Sequence, residues 1–425
     1  MKRIFLLFGF LALASAVGAQ TTLEQCRQWA CERYPEILRY QLIDQSARYD
    51  LSNAARAWLP RFSLSGQATW QNEVPEFPES FSGILDQLGE DFQGLRKDQY
   101  KVGLELTQTL WDGGASHAAR QVVQADADAR RRETEVSLYA VQQRVDDLYF
   151  GILLLEETLR QTDQTIVLLD SNLAKVRSLL DNGVAMPSDV DALQAERLSV
   201  GQQRLQIEAS RASYRRMLEL FIGRPLPEHL ERPSVSEPAD LRSARPELTL
   251  FQAQKDLLEA REQSVKSATR PRLGLFAQGY YGYPGMDFFA GMLSSDWSWN
   301  AMVGVQFSWD FGALYTRKND LSKLRTARRE IDVQQEVFQF NTDLQVAGQQ
   351  GEIDRLRKAL ADDDRIVALR RSVRRAAESK LRNGVIDTTD LLQKITDEAN
   401  ARSARSAREI ELLKAIYQLK YTINR

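Results

Sequence analysis

Beyond its first twenty residues the chain has no run of eighteen apolar residues, so no later segment reads as a membrane-spanning helix. The nearest approach, Gly151 to Leu155, is far too short. A chain can still enter a membrane as a closed β-barrel, whose strands alternate and leave only a weak hydropathy signal. Histidine is almost absent. His117 and His229 are the only two, far apart and without Cys or acidic neighbours at ligand spacing, so no zinc or catalytic-histidine pattern exists. Cysteine is equally scarce. Cys26 and Cys31 lie five apart, about 140° around a helix, a poor geometry for pairing within one chain; the reading is two small half-buried thiols. The formal net charge is −2, without the basic excess of a nucleic-acid binder. No nucleophile–base constellation is present. The expectation is no enzyme, no catalytic residue, no cofactor and no metal.

What is present begins with a secretory signal. Lys2 and Arg3 precede an apolar stretch, Ile4 to Val17, and Val17-Gly18-Ala19 fits the small-x-small cleavage rule, giving a leader of residues 1–19 and a mature start at Gln20. A membrane anchor is the other reading, but the stretch is short for a span.

The remainder reads as two copies of one unit. Tyr34-Pro35-Glu36-Ile37-Leu38 matches Arg245-Pro246-Glu247-Leu248-Thr249 at an offset of 211, as Leu59-Pro60-Arg61-Phe62 matches Arg270-Pro271-Arg272-Leu273. Leu110-Trp111-Asp112-Gly113-Gly114 matches Ser308-Trp309-Asp310-Phe311-Gly312 at 198. Leu180-Asp181-Asn182-Gly183-Val184 matches Leu381-Arg382-Asn383-Gly384-Val385 at 201. The shortening falls where the first copy has the longer loop. The expected organisation is repeat 1 over residues 20–222, a proline-rich linker over 223–244 and repeat 2 over 245–425, each repeat running helix, strand, strand, long helix, helix.

Strands are signalled by period-two alternation. Phe62, Leu64, Gly66, Ala68 and Trp70 alternate with Ser63, Ser65 and Gln67, and Tyr100, Val102, Leu104 and Leu106 alternate with Lys101, Gly103, Glu105 and Thr107. Repeat 2 supplies Leu273 to Tyr281 and Trp299 to Phe307. One face is expected to be apolar, the other small or hydrophilic throughout, as a water-filled lumen requires. Trp70, Tyr100, Tyr280, Tyr281, Trp297 and Trp299 crowd the strand ends like an interfacial girdle. A soluble sheet edge is the competing reading.

The helices are long. Heptad steps from Val145 through Ile152, Leu159, Ile166 and Leu173 to Leu180 predict a coiled-coil seam; Ile353, Leu356, Leu360, Val367 and Leu381 repeat it at 201, with Asp363 and Arg370 inside it. A helix over Ala115 to Asp181 would extend on the order of 100 Å. Two shorter ones, about Leu23–Leu59 and Asp189–Ile222, would stack end to end beside it. Arg197, Arg204 and Arg211 recur every seven residues and read as a solvated flank or inter-helix ion pairs.

These motifs together — the Tyr-Pro-Glu and Arg-Pro-Glu helix openings, the Leu-Pro-Arg and Arg-Pro-Arg strand entries, the Trp-Asp-Gly-Gly and Trp-Asp-Phe-Gly exits, and two Asn-Gly-Val turns followed by Asp — resemble the TolC family of outer-membrane efflux proteins over essentially the whole mature chain. The resemblance implies a mainly α protein with a membrane β-barrel: a homotrimer whose protomers share a twelve-stranded barrel and whose long coiled-coil helices continue as a periplasmic tunnel. It implies a passive exit duct at the cell outer membrane, in contact with lipid, serving a periplasmic adaptor (membrane fusion) protein and an inner-membrane transporter of the resistance-nodulation-division or ABC class. By the same resemblance Gly183, Val184, Gly384 and Val385 dock the adaptor, and Asp390, with Asp189 as its repeat-1 counterpart, forms a periplasmic gate. The family's second gate aspartate corresponds here to Gln393, which breaks the double acidic ring. The bland reading of Asp390 is a helix N-cap. The alternative function is a pore-less periplasmic coiled-coil adaptor or scaffold.

Overall fold

A computed structural model describes residues 21–75, 94–234, 237–383 and 385–424; the expected signal sequence, residues 1–19, and Gly384 lie outside them. Helix α1 (Leu23–Arg33) opens on a capping box, in which the Thr22 hydroxyl accepts from the Gln25 amide and the Gln25 side chain accepts from the Thr22 amide. The helix expected to continue to Leu59 instead breaks at Pro35, which has no amide to donate to a helix ladder. A 3-10 turn, Pro35–Ile37, bridges to α2 (Leu38–Arg56). The order continues β1 (Arg61–Trp70), β2 (Asp98–Trp111), α3 (Ala115–Asp181), α4 (Pro187–Ile222), α5 (Pro246–Ala268), β3 (Arg272–Tyr283), a short α6 (Phe288–Leu293), β4 (Ser298–Ser308), α7 (Gly312–Arg382) and α8 (Thr388–Ile423).

Two compact units form, and α3 and α7 pass through both. One holds residues up to 39, 133–249 and from 335 onward; the other holds 40–132 and 250–334.

The second unit contains a four-stranded antiparallel sheet, ordered β1-β2-β3-β4. Its register aligns Leu64 with Leu104, Leu104 with Gly279, and Gly279 with Ala301, so one face is apolar across all four strands. That face is uncovered: Leu64 is 77% exposed, Val303 78% and Trp299 82%. Uncovered apolar area on this scale marks a surface meant for something other than water. Aromatic rings gather at the loop end, where Tyr281 lies 5.0 Å from Trp299 and 5.4 Å from Trp297. A second exposed set, Trp111, Trp309, Phe311 and Tyr315, stands at the helical end, and the sequence reading overlooked it.

The other face is not small or hydrophilic throughout. The register places Phe276, Tyr280 and Met302 on it, so Tyr280 is no part of the girdle. Glycine makes the room. A Cβ on Gly304 would meet the Phe276 ring at 2.7 Å, and one on Gly103 would meet the Tyr280 Cβ at 2.8 Å.

The first unit is built on the predicted seam. Along α3, Val145, Ile152, Leu169, Leu173 and Val176 are buried and Leu159, Ile166 and Leu180 half-buried; along α7, Ile353, Leu356 and Asp363 are buried and Arg370 is exposed. Around Val145, Tyr149 and Ile152 pack Leu23 and Cys26 of α1, Leu218 and Ile222 of α4, Leu226 and Leu230 beyond α4, and Ile410 and Tyr417 of α8. Burial pushes the Cys26 thiol up to about 12; both cysteines are free. The proline-rich stretch after α4 starts at Gly223, whose left-handed φ of 68° ends the helix. Arg215 then ties the stretch down, donating to the carbonyls of Leu226, Pro227 and Glu228 at 3.1, 2.5 and 3.0 Å.

Candidate functional site: the two helix turns and the ion-pair ladder

The turn between α3 and α4 is a Schellman-type closure. The Gly183 amide donates to Leu180 O at 2.9 Å and the Val184 amide to Leu179 O at 2.8 Å. Gly183 sits at φ 73° with open space where a Cβ would be, so glycine is needed there for its backbone and not for room. The Asn182 side-chain amide donates to Ser178 O at 2.6 Å. The turn between α7 and α8 repeats two of these bonds 201 residues on: the Asn383 side-chain amide donates to Ser379 O at 2.8 Å, and the Val385 amide to Lys380 O at 2.9 Å.

One apolar cluster gathers both turns. Leu169, Leu173, Val176, Leu193, Ala377, Leu391 and Ile395 are buried in it, with Ala185 of the first turn and Ile386 of the second against them. Outside it the turns present side chains to solvent: Val184 is 63% exposed and Val385 66%.

Asp189 and Asp390 take equivalent places, three residues past the residue that caps each helix. The Asp189 carboxylate accepts from the Met186 amide at 2.8 Å. Asp390 is not the cap of α8. Asp387 is, and its carboxylate accepts from the Asp390 amide at 2.7 Å. The Asp390 carboxylate is exposed and free of that duty. Gln393 donates to Asp397 at 3.0 Å, and Asp397 also accepts from Arg370 at 2.9 Å, so an ion pair stands beside Gln393.

Behind the turns α3 and α4 are joined by an ion-pair ladder. Arg197 meets Asp170 at 2.9 Å, Arg204 meets Asp163 at 2.7 Å, and Arg211 meets Glu156 at 3.0 Å. Each acid, like each arginine, is seven residues from the next, so one face of each helix supplies every rung. Sequence reasoning found the arginines and missed the acids. It also missed a buried cluster between α7 and α8: Glu398 is 1% exposed and is ringed by Arg371, Arg374 and Arg402. Among the described residues no group of three His, Cys, Asp or Glu side chains is placed to hold a metal ion.

Residues 27–224 match the family model described as outer membrane efflux protein. Solved structures share the fold over 94% of this chain. The outer membrane protein VceC of Vibrio cholerae is 14% identical, with 95% of its chain covered and a TM-score of 0.68. The CmeC outer membrane channel of Campylobacter jejuni is 13% identical, with 85% covered and 0.64. The open-state MtrE outer membrane channel of Neisseria gonorrhoeae is 17% identical, with 88% covered and 0.62. At such identities the likeness is one of fold. No curated protein sequence matches the chain significantly.

Proposed function

We propose, for a chain whose resemblance to the TolC family of outer-membrane efflux proteins both comparisons bear out, that it is one third of a trimeric outer-membrane channel. Its role is that of a passive exit duct for a tripartite efflux or secretion system. The observation that carries this is the sheet. Four strands leave two open edges, β1 and β4, and an apolar face uncovered from end to end. The apolar face is out of place in water and suits lipid, but the open edges are not stable in lipid unless the sheet closes, and four strands are too few to close alone. Strands of 10 to 14 residues are long enough to cross a bilayer when tilted. Three copies joined edge to edge make a twelve-stranded barrel with the apolar face toward lipid and the polar face toward water.

In this reading the first unit is the periplasmic part, and its turns face the adaptor. Val184 and Val385 are the exposed apolar contacts, Gly183 shapes the backbone of the first turn, and Gly384 is its counterpart in the second Asn-Gly-Val sequence. Asp390, with Asp189, is the acidic gate. The transporter below is of the resistance-nodulation-division or ABC class.

The reading is tested by native mass spectrometry of the mature chain extracted from outer membranes in detergent. Three-chain particles are expected, together with restored drug or dye export in a host lacking its own exit duct. A water-soluble, single-chain particle obtained without detergent would overturn it in favour of a pore-less scaffold.

A further inference from the structure

The polar face of the sheet is electrically lopsided. Its strand positions carry Arg61, Lys101 and Arg272 against one acid, Glu105. Arg61 and Arg272 open β1 and β3, opposite Thr107 and Ser308. Both are exposed. Both line one cavity of about 420 Å³ at the helical end of the sheet, whose walls also include the polar side chains of Thr107, Thr109, Gln306 and Ser308 and the carboxylate of Asp112.

We infer that this cavity is an oxyanion-binding site, in which the Arg61 and Arg272 guanidinium groups hold carboxylate-, sulfate- or phosphate-bearing solutes as they pass. The inference rests on the reading of this face as the lumen. Three observations carry it.

The first is that neither guanidinium has an ion pair or hydrogen bond with the described residues. A planar fork of N–H donors suits an oxyanion's paired oxygens, and hydroxyls beside it add neutral donors. The second is that the nearby acids form no ion pair with either arginine. Asp112 lines the cavity and keeps its charge, but its oxygens are taken up at the start of α3, accepting from the Gly114 amide at 2.9 Å, from the Ser116 amide at 2.7 Å and from the Ser116 hydroxyl. Glu105 pairs across the strands with Ser63 and Gln278 and forms no ion pair with either arginine. The third is that the strand brought alongside by closure carries no acid on this face. In a ring of copies β1 lies beside a neighbour's β4, and β4 turns Ser298, Asn300, Met302, Gly304, Gln306 and Ser308 to this face, none of them acidic. Three copies therefore multiply the positive charge, and rings of charged side chains set which ions enter a pore.

The test is block of single-channel current by inorganic pyrophosphate in phosphatidylcholine bilayers, which contain no lipopolysaccharide phosphate to compete. Pyrophosphate added from the loop side of the barrel is expected to block at lower concentration than from the tip side. The half-blocking concentration should rise at least tenfold in the Arg61→Gln/Arg272→Gln variant and by clearly less in Arg61→Lys/Arg272→Lys, which keeps the charge, gives up the planar fork and controls for folding. Pores that conduct but are blocked alike in wild type and the glutamine variant would overturn this inference and leave the duct reading standing. Protein that inserts and never conducts would overturn both.

Discussion

Arg371 faces Glu398 across α7 and α8 at 3.6 Å, and 201 residues earlier the equivalent positions hold Asp170 and Arg197, 2.9 Å apart. The rung is the same and its polarity is reversed. The next rung keeps its polarity: Arg204 with Asp163 at 2.7 Å, and Arg405 with Asp364 at 3.0 Å. The third, Arg211 with Glu156, becomes Leu412 and Arg357, and Arg357 turns to Glu237 instead. A fixed helix register demands complementary charge at each rung and is indifferent to which helix carries which sign. Asp170→Arg or Arg197→Glu alone should therefore lower stability by placing like charges together, and the double exchange should recover it. Both side chains are more than 40% exposed, so the coupling in a denaturant double-mutant cycle should be no more than about 1 kcal/mol.

The α7–α8 counterpart should behave differently because it is buried. Burial works against the Arg374 charge, but the hydrogen bond and field of Glu398 outweigh it and hold the guanidinium above its ordinary range. Glu398→Ala leaves Arg374, only 10% exposed, with Glu378 as its remaining partner. Denaturant unfolding should report a loss approaching 3 kcal/mol, several times that of Asp170→Ala.

The local pattern was legible from sequence wherever one residue type decides the outcome. Asn182-Gly183 ends α3, and the alternation of Phe62 to Trp70 is β1. It failed where distant groups decide. Alternation from Leu273 to Tyr281 already turns Phe276 and Tyr280 to the other face, but that Gly304 and Gly103 stand opposite them and make room for their rings appears only with the register. Asp387 and Asp390 are both acceptable caps by type, and the start of α8 at Thr388 selects the first. The acids of the ladder look like ordinary solvated carboxylates until α4 folds back on α3. That Arg61 and Arg272 lack partners among the described residues is likewise invisible in a sequence rich in acids.

Glu157 should give the first unit an acid-sensitive contribution to stability. Burial raises its pKa, but donors from Arg160, Gln161 and Ser406 outweigh this and lower it from the usual 4.5 to about 2; Arg232 adds an ion pair at 2.7 Å. As pH falls the unfolded chain takes up its proton first, so the contribution is complete above about 4.5, shrinks between 4.5 and 2, and is gone below 2. Glu157→Gln should cost about 1–2 kcal/mol at pH 7, modest because Arg160 and Arg232 can turn to water. The gap between the melting temperatures of wild type and variant should narrow steadily from pH 5 to pH 2.5. A gap constant with pH would mean that the residue matters for packing and not for charge.

Asp387 and Asp390 separate a structural duty from a proposed gating one. The α8 amide bond runs to the Asp387 carboxylate at 2.7 Å, and Asp390 contributes only its backbone N–H to it. Asp387→Ala should therefore cost about 1 kcal/mol of stability, whereas Asp390→Asn should cost little beyond a weak interaction of its charge with the helix dipole. If three copies bring Asp390 near a common axis, its like charges attract cations there. Asp390→Asn should then reduce cation selectivity and block by divalent cations added from the tip side, with thermal stability unchanged. Gln393 contributes no charge, so the selectivity that remains should fall further in an Asp189→Asn/Asp390→Asn pair. Reversal potentials under a salt gradient measure both steps. Identical potentials in wild type and Asp390→Asn would remove Asp390 from the gate and leave it as an ordinary acidic residue in the first turn of α8.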